Sequence, residues 1–294
     1  MADIDIVLAT FNGEKYLCEQ IDSIIAQTYK NWRLLVSDDG STDKTLSIIE
    51  KYAILDNRVI LVNKNRQGGV VKNFSKALEF VTSKYIMFSD QDDYWLPEKI
   101  EHQKEIIEEN EKIFSGKPIL IFTDLVVVDA NLKIINESFY LHSGLNPEFN
   151  LSKKFLLWRS TVYGCSVMFN KSLYDIAFPF SPEVTMHDQW FALMASLHGH
   201  IIYSNACHLY YRQHANNVVG GQKKNTIQRI AGVFRTLKKI NNAAKLTHKT
   251  VVRINGVEEQ KWKMKIKFVN KNILPFMSER PLYAFFLSCF YLIK

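Results

Sequence analysis

The sequence predicts an α/β protein: a mostly parallel, doubly wound sheet flanked by helices and continued by a basic helical extension. Three observations carry this. Over the first hundred residues, short apolar runs alternate with stretches whose apolar residues recur at helical spacing. Each of four apolar runs ends in a polar turn. Charge is divided along the chain: residues 1–220 hold 21 Lys+Arg against 27 Asp+Glu, and residues 221–294 hold 16 against 3. The net charge of +7 therefore hides a mildly acidic body and a strongly basic tail.

The elements follow in order. Ile4–Thr10 reads as a buried strand, and Asn12-Gly13 turns the chain into a helix carrying Tyr16, Leu17, Ile21, Ile24 and Ile25. Leu34–Ser37 is a second strand, ending in Asp38-Asp39-Gly40-Ser41-Thr42-Asp43, which can also cap the next helix (Leu46, Ile49, Ala53). Val59–Val62 is a third strand. A loop with Gly68-Gly69 follows, then a helix with Val70, Phe74, Ala77, Leu78 and Val81. Tyr85–Ser89 is a fourth strand, ending in Asp90-Gln91-Asp92-Asp93. Right-handed crossovers place the helices on both faces. Beyond them come a charged helix at Glu98–Phe114, strands at Ile119–Thr123 and Val126–Val128, a turn at Asp129–Lys133 and a strand within Thr161–Phe169. A helix at His187–His198 and short strands at Ile201–Ser204 and Leu209–Tyr211 complete the body. The expected division is a domain over 1–220, with a nucleotide half to about 115 and an acceptor half from about 116, then a helical region over 221–294.

A chain that is 47% hydrophobic and 23% charged excludes disorder and collagen-like repeats. Cys18, Cys165, Cys207 and Cys289 are far apart, which argues against a zinc knot or a disulfide framework and for a reducing compartment. The first residues lack a basic-then-apolar leader, and no window of 18 apolar residues occurs, so neither secretion nor a spanning helix is expected.

In an open α/β sheet, ligands bind beyond the carboxyl ends of the strands. The four polar strand ends would share that edge if the strands are parallel. Neither G-x-x-x-x-G-K-[ST] nor an early G-x-G-x-x-G is present, so a phosphate would need another partner. Asp90 and Asp92 stand two apart and would project to one side of an extended segment. Two hard oxygen donors suit Mg²⁺ or Mn²⁺, with a substrate diphosphate filling the remaining positions. A solvated turn or helix cap would look the same in isolation. Asp38 or Asp39 could accept from a nucleobase or ribose, or could simply close an Asx turn. Asp188, in His187-Asp188-Gln189-Trp190, opens a helix. It is either a dipole-stabilised cap or a general base for an acceptor hydroxyl, with His187 as the competing base. Arg212 and His214, in Tyr210-Tyr211-Arg212-Gln213-His214 before Asn216-Asn217, suit a phosphate and a further metal ligand.

Taken in order, these residues resemble the family 2 glycosyltransferases of the GT-A (Rossmann-like) fold. The resemblance rests on Ala9–Leu17, Asp38–Asp43, Asn65 with Gly68 and Asn73, Asp90–Asp93 with Trp95, Gly164-Cys165, His187–Trp190 and Arg212–His214, across about residues 3–220. The forms DQDDYWLPEKI, HDQW and YRQH look most like the bacterial rhamnosyltransferase-like branch. The resemblance implies a nucleoside pocket lined by Thr10, Asn12, Asp38 and Asp39, with Asn65, Asp90 and Arg212 also on the donor. It implies Asp92 and His214 on a Mn²⁺ or Mg²⁺ ion. It places Gly164, Cys165, His187 and Trp190 near the acceptor and makes Asp188 the base. The implied reaction is inverting transfer of a sugar, L-rhamnose from dTDP-rhamnose before a UDP-hexose or UDP-N-acetylhexosamine. The implied acceptor is a lipid-linked saccharide in capsule, O-antigen or cell-wall synthesis.

Lys261, Lys263, Lys265 and Lys267 alternate with Trp262, Met264, Ile266 and Phe268, and Pro281–Ile293 is apolar and aromatic. This region fits a peripheral contact with the inner face of the cell membrane, or a helix packed on the body. No nucleic-acid module accompanies the basic tail, so nucleic acid is not an expected partner. A homodimer is compatible with the sequence. The reading from another class is an inactive relative that binds nucleotide sugars or scaffolds other enzymes.

Overall fold

The computed structural model describes residues 2–181, 184–214, 226–255 and 262–294. They form two compact units, one of residues 1–143 with 162–213 and the other of residues 144–161 with 214–294.

The first unit carries eleven strands among its described residues: β1 Ile4–Thr10, β2 Trp32–Asp38, β3 Val59–Asn63, β4 Tyr85–Ser89, β5 Tyr94–Trp95, β6 Ile119–Thr123, β7 Val126–Val128, β8 Ile134–Asn136, β9 Val167–Asn170, β10 His200–Ser204 and β11 Leu209–Arg212. Helices α1 Leu17–Ile25, α2 Thr45–Leu55, α3 Val70–Leu78 and α4 Lys99–Ile113 connect the early strands. The main sheet runs β10-β6-β9-β4-β1-β2-β3. Strands β4, β1, β2 and β3 are mutually parallel, so the four polar strand ends do share one edge. The single antiparallel member is β9, between β4 and β6. β1 has β2 on one side and β4 on the other, and the crevice between such strands is where an α/β sheet opens to ligand. β1 is buried along nearly its whole length, as a parallel strand covered on both faces must be.

A second sheet, β5-β11-β7-β8, holds the segment after the acid loop against the late strand β11. The strand expected within Thr161–Phe169 is confined to β9, because Gly164–Ser166 makes a 3₁₀ turn before it. The turn at Asp129–Lys133 is followed by β8, which has no alternating apolar pattern to announce it. Three further helices belong to this unit: α5 Phe139–Ser143, α7 Lys171–Ala177 and α8 His187–His198; α6 Lys153–Leu156 belongs to the other.

The second unit is helical, with α9 Thr226–Asn255, α10 Trp262–Phe268 and α11 Pro281–Ile293. Its core includes Phe155, Trp158, Ala244, Ile273, Leu287 and Tyr291. The Trp158 indole N–H donates to the Asn272 carbonyl at 2.7 Å. Residues 144–161 thus join the tail rather than the acceptor half in which the sequence placed them, and the structural division falls at 213/214 instead of 220/221. The apolar helix expected either on a membrane or packed inward packs one face within its own unit. Ala284, Leu287, Ser288 and Tyr291 are buried. Asn216, Asn217 and Lys261 lie outside the described residues. Among those described, no helix is long and apolar enough to cross a membrane.

Candidate active site

The β1 and β2 ends are tied together by short polar side chains. Asp38 accepts from the Thr10 hydroxyl at 2.9 Å, from Ser41 N–H at 2.7 Å and from the Ser41 hydroxyl at 2.5 Å. Asn12 adopts φ 46°, in the left-handed region that Asn tolerates better than most residues. Its N–H donates to Ser41 Oγ and its Oδ1 accepts from Thr42 N–H. Thr10 and Asp38 are therefore buried struts of the turn, while Asn12 is exposed at its rim. Asp39 accepts backbone N–H groups from Gln67, Gly68 and Gly69. Burial pushes its carboxyl up, but those three donors outweigh it and hold Asp39 below the usual carboxylate range. Asp39 thus anchors the loop after β3, and Asn65 stands exposed on that same loop. Asn73, from α3, clamps the two strand ends by donating to the Thr10 and Ser37 carbonyls.

The acid loop after β4 is a turn rather than an extended segment. Its first and fourth residues therefore converge. A carboxylate oxygen of Asp90, one of Asp93 and the Cys165 sulfur all lie within 4.8 Å of one another. Burial pushes Asp90 up to about 7, with repulsion from Asp92 and Asp188 adding to it. Asp93 is 1% exposed and rises well above the ordinary range, first from burial and then from Asp92 and Asp90. Its buried Oδ2 has no hydrogen-bond partner among the described residues. A cluster of half-buried carboxylates closed by the buried Asp93, with an orphaned oxygen, fits a divalent cation, which would remove the repulsion and complete the coordination. The Cys165 thiol, pushed well up by burial and then by Asp93 and Asp90, stays protonated beside these carboxylates. The available donors are thus hard oxygens, suited to Mg²⁺ or Mn²⁺. Behind Asp93 lies Lys99, 1% exposed and pulled down to about 8 by burial, with Cys165 and Asp93 opposing that fall.

Two neighbours fix the loop. Gln91 pairs with the Phe11 backbone, accepting from its N–H at 2.9 Å and donating to its carbonyl at 3.1 Å. A Cβ on Gly13 would stand 2.3 Å from Gln91 Oε1, so a side chain there would displace the Gln91 amide from the Phe11 backbone. From β11, Arg212 donates to the Asp92 carbonyl, the Ala130 carbonyl and the Glu19 carboxylate, with its guanidinium 4.3 Å from the Tyr16 ring centre. The sequence assigns Arg212 to the donor phosphate. In the structure it is 1% exposed and acts as a buttress of the acid loop. His214, the other residue of that motif, begins the second unit.

Asp188 faces the acid loop from α8. Its Oδ2 accepts Gly164 N–H at 3.1 Å and its Oδ1 accepts Gln189 N–H at 2.7 Å. Burial raises it to about 6, and the backbone donors only partly offset this. Burial thus outweighs the helix N-terminus and leaves a carboxylate that is ionised at neutral pH yet more basic than a free one. His187 is no rival base. It stacks on Phe74 at 3.9 Å, and burial lowers it to about 3. A Cβ on Gly164 would meet His187 Nε2 at 2.9 Å, which explains the small residue there. Trp190 is half-buried and donates its indole N–H to the Ala177 carbonyl. Cys165 lies under the acid loop, while Gly164 abuts Asp188. Asp93, Gln91 and Lys99 join the site without a motif to mark them; the one signal in the sequence is the fourth position of the DQDD turn, Asp93.

The family model described as Glycosyl transferase family 2 matches residues 5–176. The chain belongs to that glycosyltransferase family. It is 35% identical over 124 residues, 42% of this chain and 49% of the relative, to the Escherichia coli UDP-Glc:alpha-D-GlcNAc-diphosphoundecaprenol beta-1,3-glucosyltransferase WfaP. It is 29% identical over 223 residues, 72% of this chain and 73% of the relative, to the Shigella flexneri dTDP-rhamnosyl transferase RfbG. The chain spans about half the length of most of the curated relatives it matches. Among solved structures, S. aureus TarS 1–349 in complex with UDP-GlcNAc aligns over 99% of this chain and 90% of its own, with TM-score 0.57 and 18% identity. The mannosyltransferase PcManGT from Pyrobaculum calidifontis, in complex with GDP-Man and Mn²⁺, aligns over 98% and 74%, with TM-score 0.57 and 14% identity. These likenesses establish the GT-A fold.

Proposed function

We propose that the protein is a metal-dependent inverting glycosyltransferase that moves a sugar from a nucleotide sugar to a lipid-linked saccharide in bacterial surface-polysaccharide synthesis. The observation that carries this is the placement of Asp188 opposite the Asp90–Asp93 turn, at the strand edge where an α/β sheet binds ligand. In this reading Asn12, Asp39 and Asn65 border the nucleoside pocket. Asp90 and Asp92, with Asp93 behind them, hold a Mg²⁺ or Mn²⁺ ion, which supplies charge stabilisation to the leaving diphosphate. Asp188 takes the acceptor hydroxyl proton as the new O–C1 bond forms. The C1–O bond to the diphosphate breaks, and its electron pair leaves with the nucleoside diphosphate. Gly164 keeps the approach to Asp188 open, and Arg212 holds the acid loop in register. The proposed place of action is the cytoplasmic face of the cell membrane, with contact through the basic C-terminal region.

The proposed donor is dTDP-rhamnose, supported by the match to RfbG along nearly three quarters of both chains. The second reading, a UDP-hexose donor, is favoured by the higher identity to WfaP over a shorter span. A donor panel with Mn²⁺, Mg²⁺ or chelator tests both. Nucleoside diphosphate release that needs the metal and is fastest with dTDP-rhamnose is the expected result. Faster release from a UDP-hexose selects the second reading. No release from any donor, with or without a lipid-linked acceptor, overturns the function.

A further inference from the structure

The second unit carries a surface that the transfer reaction does not use. Residues 144–161 and 214–294 together hold 19 Lys+Arg against 4 Asp+Glu. On α10, Trp262 is 57% exposed and Ile266 38% exposed, four residues apart and so on one face. Lys263 and Lys267, both exposed, recur at the same spacing beside them, and exposed Lys271 follows on the π-helical turn Val269–Ile273. The alternation of Lys and apolar residues, unhelical as a pattern, thus resolves on a helix into an apolar row next to a lysine row. α11 has no charged residue between Pro281 and Ile293. Its inner face is buried in the unit's core, yet Leu282 is 75% exposed, Phe285 52% and Ile293 75% on the outer face. Exposed Arg280 and Lys294 bracket this outer stripe. The two helices are held together by stacking of Phe268 on Tyr291 at 4.6 Å.

We infer that α10 and the outer face of α11 form a docking surface for an anionic phospholipid bilayer. The apolar row and stripe would enter the acyl boundary, with the lysine row on the headgroups. A thirteen-residue helix is about 20 Å long, well short of a hydrocarbon core of about 30 Å, so α11 would lie in the interface rather than cross it. Charge selects the partner. The excess of cations fits phosphatidylglycerol or cardiolipin headgroups, and it would repel the same face of a second copy. This specifies the membrane contact of the proposed function and rests on that reading only for its biological purpose.

The test is co-sedimentation of the full chain with phosphatidylcholine vesicles, with and without about a third phosphatidylglycerol. The expected result is binding to the anionic vesicles alone, with a blue shift of tryptophan fluorescence that Trp262→Phe abolishes without loss of binding. Lys263→Gln/Lys267→Gln/Lys271→Gln should weaken binding by about tenfold or more, and salt near 1 M should weaken the wild type similarly. Leu282→Asn/Phe285→Asn, confirmed folded by its thermal transition, should weaken it too, and donor turnover without lipid should stay within about twofold in both variants. Equal binding to both vesicle types, no binding, or a vesicle-independent dimer broken by Leu282→Asn/Phe285→Asn would overturn the inference. Vesicle binding by a chain that turns over no donor would sink the transferase reading and leave this one standing.

Discussion

Arg212 donates from Nε to the backbone carbonyl of Asp92 at 2.9 Å, reaching from the last strand of the first unit to the middle of the acid loop. The same guanidinium closes on the Ala130 carbonyl at 2.7 Å and Glu19 at 2.6 Å. A planar fork with donors at fixed angles can tie three segments at once, which an ammonium cannot. The geometry of the carboxylates therefore depends on a residue that does not share their charge.

Replacing it tests that dependence. Arg212→Lys should cost about 2 kcal/mol or more in denaturant unfolding, because buried carbonyls lose their donors. It should also raise the Mn²⁺ concentration needed for half-maximal turnover, with kcat partly restored at saturating metal. An unchanged metal requirement would leave Arg212 a merely structural residue.

Asp188→Asn should lower kcat by about 10²–10⁴ and leave donor affinity within a few-fold, since the amide oxygen can still accept one of the Gly164 and Gln189 N–H groups. In the wild type the rate should rise with pH through about 6 and then level, because the base works only when ionised. A flat pH–rate profile from pH 5 to about 8 would argue against Asp188 as the base.

His187 gives a stability signature of its own. Its folded pKa of about 3 lies below that of a free imidazole, so the unfolded chain binds the extra proton and stability contributed by neutral His187 is lost as pH falls below about 6.5. The raised carboxylates act the other way, since the folded chain binds their protons more tightly. Comparing urea unfolding of wild type and His187→Phe at pH 7 and 5 separates the two. The variant should gain relative to wild type by about 1–2 kcal/mol on acidification. It also removes two buried ring nitrogens that lack hydrogen-bond partners among the described residues. Equal pH dependence in the two proteins would contradict a neutral, buried His187.

The acid cluster should trade stability for binding. With chelator at pH 8, Asp93→Asn should melt higher than wild type, by an amount corresponding to about 1–2 kcal/mol, because it relieves repulsion among buried carboxylates. Mn²⁺ with a nucleoside diphosphate should raise the wild-type transition more than that of the variant.

Much of this was legible in the residues. Apolar runs of strand length with polar ends match β1 and β4 to the residue and β3 to within one, whereas β2 begins two residues earlier, at Trp32, because Arg33 interrupts the apolar run. The common edge of the carboxylates followed from parallel pairing alone. Local extension was an incomplete guide to the metal loop. The i, i+2 rule pairs Asp90 with Asp92 alone, but the chain turns at Gln91-Asp92, which brings Asp93 to Asp90 as well. Arg212 looked like a phosphate ligand because guanidinium chemistry suits phosphate and backbone carbonyls equally; only burial distinguishes them. The 144–161 excursion into the second unit rests on long-range packing of Phe155 and Trp158, for which no local pattern exists.

In the proposed reaction the turn after β4 holds the cation that the donor diphosphate needs. The most direct measurement is Mn²⁺ binding followed by electron paramagnetic resonance, in wild type and in Asp90→Asn/Asp92→Asn, with and without a nucleoside diphosphate. The diphosphate should deplete the free Mn²⁺ signal with wild type far more than it does alone, and the double variant should abolish this difference while keeping a cooperative thermal transition. Undiminished Mn²⁺ binding by the folded double variant would contradict it.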